Sequence, residues 1–313
     1  MSGRIVVVGS LNADFVVRVS RCPAAGETVP GERFSMFPGG KGANQAYAAA
    51  KLGARVCMVG QVGNDPWAAV LRENLASVGV DVSGVLRDDR VSSGLAVILV
   101  EATGQNRIVI VPGSNGTFTP DRLEAARDLL ASASVVLLQL EIPLETVRAA
   151  AGLARRAGAR VLLDPAPAGP LPDEVLAQSD YVTPNETELA VLAGAEPSAP
   201  LDRDRACRLA RRLLGRGARR VLVKMGAAGA LLVERDREHF WPAPKVRAVD
   251  TTAAGDAFNG AFAVALAEGS GDEEAGAFAC AAAAVSVTRE GAQPSMPTRE
   301  EVRRLREGPG GTR

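Results

Sequence analysis

The sequence predicts an α/β fold in three layers: a central, mostly parallel sheet flanked by helices, with a small β-sheet lid beside it. Two observations predict it. Short, uniformly apolar runs alternate with helical patterns along most of the chain, and two pairs of strand-like segments break that rhythm in the first third. Strands whose side chains are all apolar are buried on both faces, which is how a parallel sheet covered by helices reads.

The apolar runs lie at 5–9 (IVVVG), 54–60 (ARVCMVG), 135–140 (VVLLQL), 160–164 (RVLLD), 181–184 (YVTP) and 220–226 (RVLVKMG). Between the last two, Ala206, Leu209, Ala210, Leu213 and Leu214 recur at i, i+3, i+4 and i+7 spacing, so Asp202 to Gly215 reads as an amphipathic helix. The segments that break the pattern are Asp14 to Val19, Glu32 to Phe37, Leu95 to Glu101 and Arg107 to Val111, the last two joined at a Thr103-Gly104 turn. They form a discontinuous lid over 12–40 and 93–112. Such a sheet cannot bury two faces alone, so it projects over a pocket or pairs with a second subunit, which makes a homodimer through the lid the expected assembly. Pro165 to Pro172 and Pro197 to Pro200 are loops too short to link domains. The 313 residues therefore read as one domain, with a disordered tail expected at 308–313.

Composition removes several functions. Lys+Arg and Asp+Glu both number 36, so no net field draws the chain toward nucleic acid or an anionic membrane, and a small substrate is the expected partner. Eight arginines fall between 203 and 220, but no aromatic residue is interleaved to stack on bases. A solvated outer helix face is the better reading of them. The opening MSGRIVVVG is too short in apolar residues for a signal peptide, and Ala277 to Val287 spans only half of the roughly 20 residues a membrane crossing needs, so a cytoplasmic location is expected. Cys22, Cys57, Cys207 and Cys280 are far apart, and His239 is the single histidine, which argues against structural zinc and against Ser-His or Cys-His catalysis. His239 itself, within EHFWP, reads as a packing or surface residue. Any general base is then a carboxylate.

Three segments carry candidate chemistry. Asp250-Thr-Thr-Ala-Ala-Gly-Asp256 leads into a helical pattern with Phe258, Ala261, Phe262, Ala265 and Leu266 on one face, which places a small-residue loop at a helix N-terminus. Unpaired N–H groups and the positive end of the dipole make this an anion site, and Ala253, Ala254 and Gly255 allow a phosphoryl group close to the backbone. Asp256 then either takes a proton from a ligand or simply caps the helix. Gly39-Gly40-Lys41-Gly42-Ala43-Asn44-Gln45 also feeds a helix, yet it is neither a P-loop nor GxGxxG. It is a tight turn presenting Lys41 and Asn44 to a polar ligand, or a plain loop. Asn185-Glu186-Thr187-Glu188 follows a strand at its carboxyl end, where open sheets place ligands, and reads either as a holder of hydrated Mg²⁺ or as a helix capping box.

Gly39 to Asn44, Asn185 to Glu188 and Ala253 to Asp256, in this order, resemble the ribokinase-like carbohydrate kinases. The resemblance runs from about Val6 to Pro297 and takes in Gly9 to Asp14, Gln139-Leu-Glu141, Lys224 to Gly229 and Thr288 to Ser295. It implies the ribokinase-like three-layer fold and ATP-dependent phosphorylation of D-ribose at O5. Asn12, Asp14, Gly40, Lys41, Asn44 and Glu141 would contact the sugar. Asn185, Glu188, Lys224, Gly226, Gly229, Gly255 and Cys280 would lie around ATP and its Mg²⁺. Asp256 would be the base, with the Ala253, Ala254 and Gly255 amides as anion hole. A K⁺ ion would sit at Asp250, Thr252, Ser286, Arg289, Gly291 and Ser295, many of them through backbone carbonyls. Lys224 and Cys280 depart from some family members, which have threonine and histidine there, and Pro38 stiffens the entry to the glycine turn. The competing functions are a kinase for another furanose (2-deoxyribose, fructose or a nucleoside), a catalytically silent sugar- or nucleotide-binding regulator, and a nucleic-acid partner of the Arg-rich helix.

Overall fold

Ile5 and Val7 pack into one core while their neighbours Val6 and Val8 pack into a second. Val135 and Leu137 alternate with Val136 and Leu138 in the same way. This period of two, apolar in both registers, is the physical origin of the three layers, because a pleated strand sends successive side chains to opposite faces. The computed structural model describes residues 3–197 and 201–308.

In chain order the strands are β1 (Arg4–Val8), β2 (Asn12–Val19), β3 (Gly31–Gly39), β4 (Arg55–Val62), β5 (Asp81–Arg87), β6 (Gly94–Glu101) and β7 (Asn106–Val111). There follow β8 (Ala133–Leu138), β9 (Arg160–Leu163), β10 (Tyr181–Val182), β11 (Val221–Lys224), β12 (Gly229–Val233) and β13 (Glu238–Pro242). Nine of them form one sheet in the order β13-β12-β11-β10-β9-β8-β1-β4-β5. It is parallel except that β12 runs antiparallel to both its neighbours. One face is covered by helices that include Lys41–Lys51, Ala254–Ala267 and Asp272–Ser286, the other by Leu144–Arg156, Glu186–Leu192 and Arg203–Gly215.

The expected lid is present as a second sheet, β3-β2-β6-β7, with β2 and β6 parallel and the other pairs antiparallel. Phe34, Phe37, Val97 and residues 108–111 of its strands are exposed apolar side chains. β2 grows directly out of the loop after β1, so the lid is tied to the carboxyl end of the main sheet. The strands β5, β12 and β13 and several helices were not singled out by the apolar-run pattern. β5 is buried only at Gly84 and Val85 and exposed at both ends, as suits an edge strand. Of the tail expected at 308–313 only Gly308, and of Pro197 to Pro200 only Pro197, fall within the described residues.

Candidate active site

The carboxyl ends of adjacent central strands converge on one place. β1 leads into Gly9–Asn12, β8 into Gln139–Glu141, β9 into Asp164, β10 into Asn185, and β11 ends at Lys224. Parallel strands order these ends side by side, so five loops far apart in sequence share one edge.

The glycine turn is shaped by close backbone approach. Gly40 has φ +90°, and a Cβ on it would lie 2.9 Å from Asn12 N. A Cβ on Gly42 would lie 2.6 Å from Ser10 N, and one on Gly39 would meet the Asp14 carboxylate at 2.0 Å. Only glycines let the start of the Lys41–Lys51 helix touch the loop after β1, and this contact brings Asp14, Lys41 and Asn44 together. Glu141 caps that helix start: its Oε2 accepts from Lys41 N at 2.9 Å and from Ser10 Oγ at 2.5 Å. Asn12, also buried, accepts from Asn115 Nδ2 at 2.7 Å.

Asp256 sits in the first turn of the Ala254–Ala267 helix and is buried. It does not cap the helix. Its Oδ2 accepts from Asn44 Nδ2 and its Oδ1 from Gln45 Nε2, each at 3.0 Å, so the reading of this aspartate as a helix cap gives way to a carboxylate held by two amides. Burial pushes its pKa up to about 6; Lys41 opposes that rise and Asp164 adds to it, while the Gln45 and Asn44 hydrogen bonds also oppose it. Asp14 rises further, to about 7, through burial and the nearby charge of Glu141. Burial acts to lower the Lys41 ammonium, but Asp256, Asp164, Glu141 and Glu188 outweigh it and keep Lys41 protonated.

Ala253, at the N-cap of this helix, is the one non-glycine residue with positive φ among the described residues (φ 57°). Such left-handed backbone costs an alanine about 1–2 kcal/mol, and strain of this kind concentrates where a ligand needs a particular turn. Of the three amides expected to form the anion hole, that of Ala254 already donates to Thr251 O at 3.2 Å. The open first-turn donors are therefore better placed at Gly255 and Asp256.

Lys224 reaches this spot from β11. A Cβ on Gly255 would lie 3.3 Å from its Nζ, which also donates to Asp164 Oδ1 at 2.9 Å. Asn185 and Glu188 form a reciprocal capping box, with Glu188 N on Asn185 Oδ1 at 2.8 Å and Asn185 N on Glu188 Oε2 at 2.7 Å. Of the two readings of that motif, the capping one is visible. Burial raises the Glu188 carboxyl, with Lys224 opposing. Gly226 (φ 51°) lies beside Glu186, whereas Gly229 (φ 123°) is demanded by strand pairing, since a Cβ there would strike Trp241 O at 1.9 Å. Cys280 is buried in the Asp272–Ser286 helix, and burial pushes its thiol up to about 12.

Around Asp250 the structure gathers part of the expected cation loop. Asp250 Oδ1 accepts from Thr252 N and Oγ1 at 2.9 and 2.7 Å, and Oδ2 accepts from Gly291 N at 2.8 Å. The Ser286 and Ser295 hydroxyls donate to Ala283 O and Ala292 O, and Arg289 pairs with Glu301. No group of three or more His, Cys, Asp or Glu side chains among the described residues is placed to hold a metal ion. Neither is any helix of the described residues long and apolar enough to cross a membrane.

Four residues of this cluster carried no role in the sequence reading: Gln45, Asp164, Asn115 and Gln293. Gln45 and Gln293 fell inside segments already quoted and Asp164 ends an apolar run, so nothing local in the sequence separated them from their neighbours. Gln293 Nε2 donates to Asn44 Oδ1 at 3.1 Å and so fixes which way that amide faces.

A family model described as pfkB family carbohydrate kinase matches residues 2–299. The chain is 38% identical over 302 residues to a ribokinase of Haemophilus influenzae, covering 96% of this chain and 98% of that one. It is 41% identical over 298 residues to a deoxyribokinase of Salmonella typhi, covering 95% and 96%. Among solved structures, that of Arabidopsis thaliana ribokinase complexed with ribose and ATP is similar with a TM-score of 0.91 and 37% identity, covering 97% of this chain and 99% of that one.

Proposed function

The chain belongs to the pfkB family of carbohydrate kinases, and from that premise we propose that it transfers the γ-phosphoryl of ATP to O5 of D-ribose, with Asp256 as general base. The observation that carries this reading is the Asp256 carboxylate, buried at a helix N-terminus and held on both oxygens by Asn44 and Gln45. A carboxylate there accepts the hydroxyl proton beside the amides that face the moving phosphoryl charge. Phosphoryl transfer asks little more of a protein than such positioning and electrostatics.

The sugar lies between Asp14, Asn12, Gly40, Lys41, Asn44 and Glu141, where carboxylates and amides match a ligand rich in hydroxyls. Burial and the Glu141 charge push Asp14 up to about 7, and the hydroxyl donors of a bound sugar favour its charged, accepting form. ATP lies along Asn185, Lys224, Gly226 and the loop after Asp250. Asn185 and Glu188 suit Mg²⁺ through its waters rather than directly, because the ion keeps several waters and the capping bonds already engage Asn185 Oδ1 and both Glu188 oxygens. When bound, Mg²⁺ neutralises phosphate charge. The Asp250 loop, with Thr252, Ser286, Arg289, Gly291 and Ser295 around it, offers the hard oxygen donors that K⁺ takes. Two copies of the chain pair through the lid, whose Phe34 and residues 108–111 are otherwise apolar surface in water.

The likeness to a deoxyribokinase favours 2-deoxyribose as the second reading. A screen of ADP release with ribose, 2-deoxyribose, fructose and adenosine separates them. Ribose is expected to give the highest kcat/KM, and a preference for any other acceptor overturns the choice of sugar.

A further inference from the structure

Gln45 is fully buried, and its carboxamide is pinned at every corner. Its Nε2 donates to Asp164 Oδ2 at 2.8 Å and to Asp256 Oδ1 at 3.0 Å, and its Oε1 accepts from Gln139 Nε2 at 2.7 Å. Only one orientation of the amide satisfies two carboxylates and a donor, so Gln45 cannot flip. Asp164, 2% exposed, uses its other oxygen to hold Lys224 Nζ, which abuts Gly255 at the anion hole. A continuous chain of bonds thus runs from the phosphate side of the site, Lys224 to Asp164 to Gln45, to the base Asp256.

We propose that Asp164 and Gln45 are positioning residues of the phosphoryl transfer, one buried carboxylate anchoring Lys224 at the anion hole and, through the Gln45 amide, orienting Asp256. The inference rests on the reading of Asp256 as base. Two aspartates bridged by one neutral amide repel each other, and the Lys224 charge balances the second of them. The other charge facing Asp256 is Lys41 from the Lys41–Lys51 helix, which in turn faces Glu141 beyond β8 and Glu188 from the Glu186–Leu192 helix. The Asp256 carboxylate is bonded instead by the Asn44 and Gln45 amides. Incoming phosphate shares Lys224 with Asp164, so the field on the base responds to whether the nucleotide is in place.

The test is the single-turnover rate at saturating ribose and ATP, followed from pH 5 to 9, for Asp164→Asn, Lys224→Met and the charge-balanced double variant. Asp164→Asn removes a negative charge beside the base and should move the acid limb down by about one pH unit, with a rate loss of about tenfold. Lys224→Met leaves Asp164 unpaired and should move the limb up by about one unit and raise the ATP KM about tenfold. The double variant should bring the limb back to within about 0.3 unit of wild type, a compensation that a purely structural role does not produce. Gln45→Met, which keeps length and removes the bridge, should slow transfer about tenfold with ATP KM within about twofold. Unmoved limbs in both single variants, or a double variant whose limb stays displaced like that of either single variant, overturn the proposal. Should Lys224→Met fail to fold, the limb of Asp164→Asn against that of the double variant decides. Asp256→Asn serves as control: if it turns over normally, the base reading itself falls, whereas an inactive Asp256→Asn with unmoved limbs removes the relay alone.

Discussion

Charge is dense in two regions of this molecule, at the carboxyl edge of the sheet and along the Arg203–Gly215 helix, and the two treat it differently. On the helix side the arginines are solvated and matched: Arg203 and Arg211 face Glu238, Arg216 faces Asp173, Arg219 faces Asp180 and Arg220 faces Glu234 and Asp272. Exposed pairs of this kind contribute about 0–1 kcal/mol each. At the sheet edge Asp164 and Asp256 are buried and Asp14, Lys41 and Lys224 half-buried, and Asp14 and Asp256 are pushed toward neutrality. Burial, rather than the number of charges, separates a reactive cluster from a soluble surface.

That contrast can be broken most severely at Asp256. Asp256→Asn should lower the single-turnover rate by roughly 10²-fold or more with ribose and ATP affinities little changed, since a base acts mainly in the transition state. In the wild type the rate should fall as pH drops through about 6, because the raised pKa protonates the base there. Near-normal turnover of the variant removes Asp256 as base.

The next effect in size concerns the sugar. Wild-type kcat/KM should favour ribose over 2-deoxyribose by roughly 10- to 10³-fold, because a buried acceptor that loses a hydroxyl donor is left unpaired. Asp14→Ala should weaken ribose use and shrink that preference together. A variant that loses activity while keeping the full preference shows that Asp14 does not read the hydroxyls.

Replacing Na⁺ by K⁺ should raise the rate severalfold, as the Asp250 loop orders and its positive field grows. Equal rates in the two salts count against the cation loop. Smallest of all, Arg208→Glu with Arg212→Glu should change kcat/KM by less than about twofold, as surface substitutions usually do. A tenfold loss, or salt-dependent DNA binding by the wild type, makes the arginine face functional after all.

Much of this was legible in the chain. The apolar runs located six strands of the main sheet because burial on both faces keeps their centres apolar, and the strand-like segments outside that rhythm located the lid. The edge strand β5 escaped, since polar residues interrupt DVSGVLR; β12, GALLV, is uniformly apolar and buried, so composition does not set it apart from the runs; β13, EHFWP, reads as a charged turn-and-strand segment rather than an apolar run. At the site, the glycines betrayed the turn at 39–42 because close approach of backbone tolerates nothing else. Gln45, Gln293 and Asp164 were not distinguishable: a glutamine in a helix and an aspartate after a strand gain meaning only when packing brings residues 119 and 211 positions away against Gln45.

The most direct measurement is ³¹P NMR of the protein with ATP, Mg²⁺, K⁺ and ribose. The account predicts ribose 5-phosphate and ADP appearing in equal amounts; ATP converted to ADP and inorganic phosphate, or ribose left untouched while another acceptor is phosphorylated, contradicts it.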